Sequence, residues 1–349
     1  MPMRALVKTK PGPGLDLLRV PDPVPGPGEV VVRVEAAGVC GSDVARYVWT
    51  RNYEAGAAKS MTDDLPRILG HEFAGTVVET GPDVRRVTVG DRVGIQNVLG
   101  CDRCEACRRG MPNVCAERRT IGVHRDGGYA ERCVVPEANI TAMPEGMSFH
   151  LAAAWQPFSV ATNAVELAGL RPADRILVWG LGPIGLAAIF AARLRGATVA
   201  LGVDKNPIRL AEAEALGIPT MAVGDGDLGA AVRERLGARS VDAVFEAAGA
   251  AATIEASLPV LRKSRSMVLI GNQRERVSAD LMPLIMDQQR LIGSRSYSLD
   301  IWDLAVRTIG DSGFEATLGD EVGLEEALAR FEAAAAGHGR PFTIMPSAS

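Results

Sequence analysis

Three glycines spaced as G-x-G-x-x-G constrain the fold of this chain more than any other feature of its sequence. Gly180, Gly182 and Gly185 follow the apolar run RILVWG and open the helix-like run PIGLAAIFAARLRG. In that position the first glycine allows a tight turn, the second lets the backbone approach a ligand, and the third lets helix and strand pack closely. The run ATVALGVD continues as a second strand, so the sequence predicts a β-α-β unit with parallel strands.

The same turn suits a dinucleotide, because the free N–H groups at the start of a helix bind a pyrophosphate. Asp204 ends the next strand, where a carboxylate can accept hydrogen bonds from ribose hydroxyls and would repel a 2′-phosphate. The motif therefore favours NAD over NADP, although an aspartate at a strand end is also a common turn former. Further candidate cofactor contacts are Pro183, Ile184, Lys205 and Arg209, of which the last two are alternatively solvated surface charges.

The sequence pattern changes near residue 150. Over roughly the first 150 residues, short β segments alternate with turns rich in Gly and Pro, which is typical of a β-barrel. Apolar strands then alternate with helices, which predicts a doubly wound parallel sheet of the Rossmann type. From residue 293 the pattern is mixed, and RPFTIMP reads as a last strand that returns to the first region. We therefore predict an α/β protein with one domain over 1–152 and 293–349 and a second over 153–292.

Four cysteines fall within fifteen residues, in the run GCDRCEACRRGMPNVC. The spacing C-x2-C-x2-C-x7-C is typical of zinc sites, and four thiolates leave no open coordination position, so this zinc would be structural. The alternative is a cluster of free or disulfide-bonded thiols, which the charged residues between the cysteines disfavour. The predicted ligands, in a lobe over about residues 95–117, are Cys101, Cys104, Cys107 and Cys115.

The overall composition narrows the classes of partner. The chain has 349 residues, is 47% hydrophobic and carries a net charge of −4 without a basic patch, so it lacks the footprint of a nucleic-acid-binding protein. It contains no apolar run of about 18 residues that could span a membrane, and its N-terminal sequence lacks the apolar core of a signal peptide. Six cysteines in such a chain indicate a reducing compartment, so we expect a cytoplasmic protein.

A second set of metal-binding side chains occurs in GVCGSD (38–43) and GHEFAG (70–75), which contribute Cys40, His71 and Glu72. A catalytic zinc takes about three protein ligands and keeps one position open for water or substrate. Neither motif is decisive alone, since a histidine beside a glutamate is more often a hydrogen-bonded structural residue. Their occurrence together with the four cysteines and the glycine motif favours two zinc ions per chain.

In this order, GVCGSD, GHEFAG, the four-cysteine run, GVHRDGGYAE, GLGPIG and Asp204 resemble the zinc-dependent medium-chain alcohol dehydrogenases. Within that family, GVHRDGGYAE and the opening of the chain are most similar to L-threonine 3-dehydrogenases and to polyol (sorbitol, butanediol) dehydrogenases. The resemblance implies a GroES-like β-barrel catalytic domain beside the Rossmann domain. It also implies a homodimer or homotetramer, with RLIGSRSYS near the interface.

Carried over by position, the resemblance makes Cys40 and His71 ligands of the catalytic zinc and Glu72 a third ligand or an exchangeable neighbour. Ser42 would accept the proton of the substrate alcohol and start a relay. Asp43 would orient the imidazole of His71, as carboxylates commonly do for metal-bound histidines. The alternative for Ser42 and Asp43 is a hydrogen-bonded turn.

This chain departs from the family pattern at three places. Relatives have a glutamate at Gln156, and a neutral amide is a poor zinc ligand, so we expect water in the fourth position. Relatives have a histidine, the outer member of the relay, at Ala45, so the proton would pass to water or to a substrate hydroxyl. Threonine dehydrogenases have a histidine where this chain has Gln96 and Asn97, which weakens threonine as the substrate.

These departures, and a segment from Tyr47 to Leu65 that is longer than in threonine dehydrogenases, indicate altered substrate recognition. Each candidate contact has a surface or packing role as its alternative. The candidates for contact with substrate or with the metal ligands are Trp49, Arg51, Tyr53, Gln96, His124, Arg125 and Gln156.

The resemblance thus implies NAD-dependent oxidation of a secondary alcohol to a ketone, with zinc as a Lewis acid. The expected substrate is a polar small molecule (a polyol, cyclitol, amino sugar or 2-amino-3-hydroxy acid), because polar residues flank the cleft and aromatic residues make up only 5% of the chain. One alternative is a zinc- and NAD-dependent epimerase of such a carbinol centre, which the missing relay histidine would suit. The other is a non-catalytic zinc scaffold protein.

Overall fold

The computed structural model describes the chain in four stretches and divides it into two compact units. The described residues are 2–49, 65–237, 240–272 and 275–347. The first unit consists of Met1–Gln156 and Leu318–Ser349, and the second of Pro157–Thr317. A buried hydrophobic cluster lies within each unit.

The strands are mostly short in the first unit and longer in the second. In chain order they are β1 (Met3–Lys8), β2 (Asp16–Val20), β3 (Glu29–Gly38), β4 (Arg67–Ile68), β5 (Phe73–Thr80), β6 (Arg92–Ile95), β7 (Val98–Leu99), β8 (Arg119–Thr120), β9 (Arg132–Pro136), β10 (Ile140–Ala142), β11 (Arg175–Trp179), β12 (Thr198–Asp204), β13 (Thr220–Ala222), β14 (Val241–Glu246), β15 (Leu261–Leu269), β16 (Arg290–Gly293), β17 (Asp320–Val322) and β18 (Phe342–Ile344).

The helices are concentrated in the second unit. In chain order they are α1 (Gly41–Val48), α2 (Glu105–Arg108), α3 (Phe149–Ala153), α4 (Trp155–Ala168), α5 (Pro183–Leu194), α6 (Pro207–Ala215), α7 (Leu228–Leu236), α8 (Ala251–Ser257), α9 (Met282–Met286), α10 (Leu299–Ser312) and α11 (Leu324–Ala335). Among the described residues, no helix has both the length and the apolar character needed to cross a membrane.

Strand β3 is the centre of the first unit, because it pairs antiparallel with β5, β9 and β18. These strands belong to a seven-stranded sheet in the order β10-β6-β5-β3-β18-β17, with β9 on β3. The β-branched side chains of β3 at Val30, Val32 and Val34 are completely buried, as expected for a strand packed on a core. Since β3 ends at Gly38, its pairing fixes the start of the segment that leads into α1.

The second unit is a six-stranded parallel sheet in the order β13-β12-β11-β14-β15-β16. The chain winds outward from β11 in one direction and then from β14 in the other. In such doubly wound sheets, ligands bind beyond the carboxyl ends of the strands where the direction changes. The predicted doubly wound parallel sheet is confirmed.

A break separates the consecutive helices α3 and α4. Helix α3 ends at Ala153, Ala154 is its C-cap, and α4 begins at Trp155. Proline lacks an N–H group and its ring collides with the carbonyl four residues earlier, so Pro157 is tolerated only in the first turn of a helix. The break places Pro157 in the first turn of α4.

The second unit extends further along the chain than the predicted boundary at residue 293. The ring of Phe314, just after α10, lies 5.4 Å from that of Phe158 and 6.0 Å from that of Phe190. These aromatic contacts hold the segment up to Thr317 in the second unit, and the chain returns to the first unit at Leu318. The mixed sequence pattern after residue 293 does not contain this packing information.

Candidate functional site

The structure brings Cys40, His71 and Glu72 together in the first unit. Cys40 is the N-cap of α1, just after β3, while His71 and Glu72 lie immediately before β5. One ligand atom from each of the three lies within 4.8 Å of the others. His71 and Glu72 are buried, and Cys40 is partly exposed. A thiolate, an imidazole and a carboxylate at this separation can hold one metal ion.

The carboxylate of Asp43 orients the imidazole. Its Oδ2 lies 3.3 Å from Nδ1 of His71 and accepts hydrogen bonds from the hydroxyl of Tyr129 at 3.0 Å and the backbone N–H of Cys40 at 3.3 Å. Nε2 of His71 then faces Oε1 of Glu72 at 3.8 Å. With Nδ1 held by Asp43, Nε2 is the imidazole nitrogen available to a metal.

Burial and neighbouring charges shift the pKa values of these groups in the absence of a metal ion. Burial disfavours a charged His71, but Asp43 and Cys40 together raise the pKa of His71 well above its ordinary value. Burial also disfavours a charged Asp43, yet His71 and Arg46 lower the pKa of that carboxyl. Burial raises the pKa of Glu72 to about 7. A bound cation would balance the negative charges of Asp43 and Glu72 and would take the place of the proton on His71.

Two glycines allow this close packing. A Cβ at Gly38 would lie 2.7 Å from Oε2 of Glu72, and a Cβ at Gly70 would lie 2.4 Å from the ring of Tyr129. Gly70 also has a φ of +94°, which side chains with a Cβ rarely adopt. The motif GHEFAG thus needs its first glycine for both reasons.

Ser42 and Arg46 share one face of α1. Nη1 of Arg46 donates a hydrogen bond of 2.9 Å to Oγ of Ser42 and lies 3.6 Å from Oδ1 of Asp43. Neither Arg46 nor Tyr129 is among the site residues predicted from the sequence. Signals were present, because residues four apart share a helix face and Tyr129 lies inside the quoted run GVHRDGGYAE.

The four-cysteine lobe forms a second candidate metal centre. One Sγ atom from each of Cys101, Cys104, Cys107 and Cys115 lies within 4.8 Å of the others. Hydrogen bonds from backbone N–H groups lower the pKa of the Cys101 thiol to about 7, whereas burial raises that of Cys107 to about 11. All six cysteines are free thiols, so the disulfide alternative finds no support. Four sulfur atoms at these distances fit tetrahedral zinc.

The glycine motif lies in the second unit, in the turn from β11 to α5. Gly180 has a φ of +84°, and a Cβ at Gly185 would lie only 1.8 Å from the carbonyl oxygen of Gly180. Gly182 is the N-cap of α5, with Pro183 in its first turn and Ile184 next. The glycines thus make the tight turn and the close helix–strand contact that the sequence predicts.

Asp204 ends β12 and is tied to this turn. Its Oδ2 accepts a hydrogen bond of 2.7 Å from the backbone N–H of Leu181, and its Oδ1 one of 2.8 Å from Asn206. Nη1 of Arg209 lies 3.6 Å from Oδ2 of Asp204, whereas the side chain of Lys205 is exposed. The structure therefore brings Asp204 and Arg209 to the glycine turn.

The candidate substrate contacts have varied surroundings. Trp49 is the buried C-cap of α1, with Nζ of Lys8 5.0 Å from its ring centroid, and Gln96 and Gln156 are buried. Arg125 forms an ion pair of 2.9 Å with Glu29. The remaining candidates are His124, whose Nδ1 accepts a backbone hydrogen bond of 3.0 Å from Thr120, and Arg51 and Tyr53, which lie outside the described residues.

Arg125 also lines a cavity of about 580 Å³ with Arg67, Cys133 and other residues of the first unit. Among the described residues, the lining of that cavity includes none of the three clustered ligands Cys40, His71 and Glu72. A contact of Arg125 with the substrate stays a prediction.

Comparison with known proteins agrees with this geometry. The family description "Alcohol dehydrogenase GroES-like domain" matches residues 26–145, and "Zinc-binding dehydrogenase" matches residues 183–310. An L-threonine 3-dehydrogenase from Saccharopolyspora erythraea is 35% identical over 288 residues, which cover 81% of this chain and 81% of the relative.

Solved structures resemble the whole chain. A short chain alcohol dehydrogenase from E. coli CFT073, complexed with NADH, has a TM-score of 0.86 and 25% identity, with 99% of each chain covered. A protein from Sinorhizobium meliloti 1021, described as a zinc-binding dehydrogenase and bound to NADP, has a TM-score of 0.86 and 28% identity, with 99% of this chain and 100% of the other covered. The predicted resemblance and the predicted fold are confirmed, and the chain is an oxidoreductase of the zinc-binding, medium-chain alcohol dehydrogenase family.

Proposed function

We propose that this protein is a cytoplasmic zinc- and NAD-dependent dehydrogenase that oxidises a secondary alcohol of a polar small molecule to the ketone. The observation that carries the proposal is the cluster of Cys40, His71 and Glu72, whose ligand atoms lie within 4.8 Å of one another. Asp43, behind His71, holds the imidazole in the orientation that a metal requires.

The donor set fits a catalytic zinc. One thiolate, one imidazole and one carboxylate make three protein ligands, which leaves a position for water or substrate. When bound, zinc supplies a Lewis acid that lowers the pKa of an alcohol, and NAD accepts the hydride. Cys40 is partly exposed whereas His71 and Glu72 are buried, so the cysteine side of the cluster is the side open to a substrate.

Ser42 is the residue that we assign to proton removal. It follows Cys40 by two positions on the first turn of α1, and its hydroxyl can accept the substrate proton while its own proton passes on. Ala45, in the place of the relay histidine, cannot carry that proton further. We therefore propose that the proton leaves Ser42 for water or for a second hydroxyl of the substrate.

The four cysteines support a second, structural zinc, because an all-thiolate set leaves no open position. Metal analysis of the purified protein tests this proposal, with two zinc ions per chain expected. A Gln156→Glu variant tests the catalytic site separately. If the buried Gln156 lies beside the metal, a new carboxylate there adds a ligand and strengthens zinc binding, whereas a severe loss of zinc affinity contradicts that placement.

We propose NAD rather than NADP as the cofactor. The Asp204 carboxylate is 5% exposed and fixed by two backbone N–H groups, so a 2′-phosphate nearby would meet a negative charge that cannot move away. Arg209 partly offsets that charge at 3.6 Å. The ratio of kcat/KM for NAD and NADP, in the wild type and in Asp204→Ser, measures the preference. The variant should lose most of the discrimination.

The substrate is best sought among polyols, cyclitols, amino sugars and 2-amino-3-hydroxy acids. L-Threonine belongs in this panel because a threonine dehydrogenase is 35% identical, although Gln96 and Asn97 replace the histidine of such enzymes. Each compound should be followed by NADH absorbance and by the mass and stereochemistry of the product. Net NADH with a ketone product supports the dehydrogenase. An inverted carbinol without net NADH would instead identify an epimerase, which the missing relay histidine favours.

A second copy of the chain is the partner that we propose for the second unit. Within the described residues, β16 is an edge strand of the parallel sheet, and exposed apolar side chains precede it on and beside α9. These are Leu281 (56% exposed), Met282 (54%), Ile285 (71%) and Met286 (70%). Apolar patches of this kind mark interfaces. Sedimentation velocity should show a homodimer or homotetramer that Ile285→Glu weakens.

A further inference from the structure

Glu246 is a buried acidic residue beside the glycine turn of the second unit. It is the last residue of β14, is 0% exposed, and lies opposite Trp179, the last residue of β11. Gly180 follows Trp179, so the residues after Glu246 begin next to the glycine turn. The winding direction of the sheet changes between these two strands, which is where doubly wound sheets bind ligands.

The loop that follows β14 (residues 247–249, the β14 loop) contacts the glycine turn directly. The backbone N–H of Ala247 donates a hydrogen bond of 2.8 Å to the carbonyl oxygen of Trp179. A Cβ at Gly180 would lie 3.0 Å from the backbone nitrogen of Ala248. The position of the β14 loop therefore decides how much room remains beside the turn.

One carboxylate oxygen of Glu246 holds the β14 loop. Its Oε1 accepts hydrogen bonds of 2.9 Å from the backbone N–H of Ala248 and of 2.8 Å from that of Gly249. The hydroxyl of Thr253, in the first turn of α8, lies 3.1 Å from the same oxygen. Hydrogen bonds to a carboxylate are stronger than those to a neutral acceptor, so the β14 loop and the start of α8 are held firmly at one point.

The other carboxylate oxygen faces a different segment. Among the residues that the structure describes, Oε2 of Glu246 has no hydrogen-bond donor. A Cβ at Gly271, two residues after β15, would lie 2.8 Å from this Oε2. Of the two oxygens, Oε1 is therefore the one that restrains the β14 loop.

We propose that Glu246 is a positioning residue for the binding of NAD, and this inference rests on the proposed function. Glu246 is fully buried, so it acts through the β14 loop, which its Oε1 keeps in the position that leaves the glycine turn open to the dinucleotide. Without Oε1, two backbone N–H groups lose their acceptor and the loop takes up other positions. Only the molecules with the loop in place then bind the dinucleotide, so the apparent Kd rises as their fraction falls.

Fluorescence titration with NADH compares Glu246→Ala and Glu246→Gln with the wild type. Glu246→Ala should raise the Kd for NADH by about 10-fold, which corresponds to a loop in place about a tenth of the time. Glu246→Gln should stay within about 3-fold of the wild type, because its amide oxygen can replace Oε1 and its NH2 group takes the place of Oε2, which has no donor among the described residues. Binding by Glu246→Gln as weak as that by Glu246→Ala would overturn the proposal.

Asp242→Ala is the matched control, because Asp242 is a second buried acidic residue of β14, near the opposite end of the strand. Asp242 is 4% exposed, accepts a hydrogen bond of 2.9 Å from the backbone N–H of Arg175, and forms an ion pair of 2.9 Å with Arg262. Its loss should lower the free energy of unfolding but leave the Kd for NADH within about 2-fold, since the two sites are distant. An equal rise of that Kd in Asp242→Ala and in Glu246→Ala would show general damage to the sheet and overturn the proposal.

Amide hydrogen exchange of the protein without NADH provides a readout that does not depend on the cofactor. Residues 247–249 should exchange about 10-fold faster in Glu246→Ala than in the wild type, because the same loop equilibrium controls exchange and binding. Unchanged exchange would overturn the proposal. A wild type that binds no NADH would refute the proposed cofactor and this inference with it, whereas an unchanged Kd in Glu246→Ala would refute only the role of Glu246.

Discussion

The hydroxyl of Tyr129 donates a hydrogen bond of 3.0 Å to Oδ2 of Asp43, across 86 residues of sequence. The same hydroxyl lies 3.1 Å from the carbonyl oxygen of Gly38, at the end of β3. Tyr129 therefore joins the strand that leads to Cys40 and the carboxylate that orients His71. Tyr129 and Asp43 are both buried, so the geometry of the metal ligands depends on a side chain outside the ligand cluster.

Removal of the Tyr129 hydroxyl should weaken metal binding at the Cys40 cluster. Tyr129→Phe leaves Asp43 with one donor fewer, and loss of such a partner typically costs about 10- to 100-fold in metal affinity. Cobalt can report this, because its visible absorption differs between a site with one thiolate and a site with four. The control is Tyr47→Phe, because the ring of Tyr47 stacks on that of Phe331, with 5.5 Å between the ring centroids. Unchanged cobalt affinity in Tyr129→Phe would contradict the assignment.

Two glycine-to-alanine changes in the second unit should affect different properties. One should weaken NADH binding, and the other should stabilise a helix. In Gly185→Ala the new Cβ would meet the carbonyl oxygen of Gly180 at 1.8 Å, so the turn must open and NADH should bind at least about 10-fold more weakly. In Gly310→Ala the Cβ would enter open space on α10 and should stabilise the helix by about 0.5 to 1 kcal/mol. Fluorescence titration with NADH and urea unfolding measure the two effects. Equal NADH affinity in both variants would be inconsistent with the glycine motif as the cofactor site.

Loss of one lobe thiolate should release one zinc ion and destabilise the protein. Cys104→Ser removes the side chain that also accepts a hydrogen bond of 3.4 Å from the backbone N–H of Cys107. Loss of a structural metal is among the largest single-residue effects, so the free energy of unfolding should fall by about 4 kcal/mol or more. Cys133→Ala removes a buried thiol outside the cluster and should retain both zinc ions. A full zinc complement in Cys104→Ser would refute the structural assignment.

Lys8 should make the stability of the protein depend on pH in the alkaline range. Its side chain is 1% exposed, with Nζ 3.0 Å from the carbonyl oxygen of Gly14. Burial lowers its pKa to about 8 from an ordinary value of 10.5. Between these values the unfolded chain binds more protons than the folded one, so stability rises with pH from 8 to 10.5.

Urea unfolding of the wild type and of Lys8→Met checks this effect, because the variant lacks the titrating group. The free energy of unfolding of the wild type relative to the variant should rise by on the order of 2 kcal/mol across that window. Parallel pH curves for the two proteins would show that Lys8 keeps an ordinary pKa.

Local spacing explains why part of the structure could be predicted. The cysteines of the lobe lie within one short run, and Gly180 to Gly185 form a single turn, so sequence separation alone placed them together. Cys40 and His71 come from different segments, and only the resemblance to a family predicted that they meet. The structure supplied the reason, which is the pairing of β3 with β5.

Other features depend on contacts that sequence patterns do not encode. The end of the second unit at Thr317 follows from aromatic packing around Phe314, which no periodicity reports. The contacts of Tyr129 and Arg46 with Asp43 follow from the direction of single side chains.

The first unit is built from two separate stretches of chain. This affects the order in which the two units can fold during synthesis. Gly38 pairs with Thr343 in β18, so the central sheet is incomplete until that strand has left the ribosome. All six strands of the second sheet lie between Arg175 and Gly293 and are available earlier. Pairings so distant in sequence form slowly. The unit whose synthesis starts first, and which holds both metal-ligand clusters, is therefore the last to close its sheet.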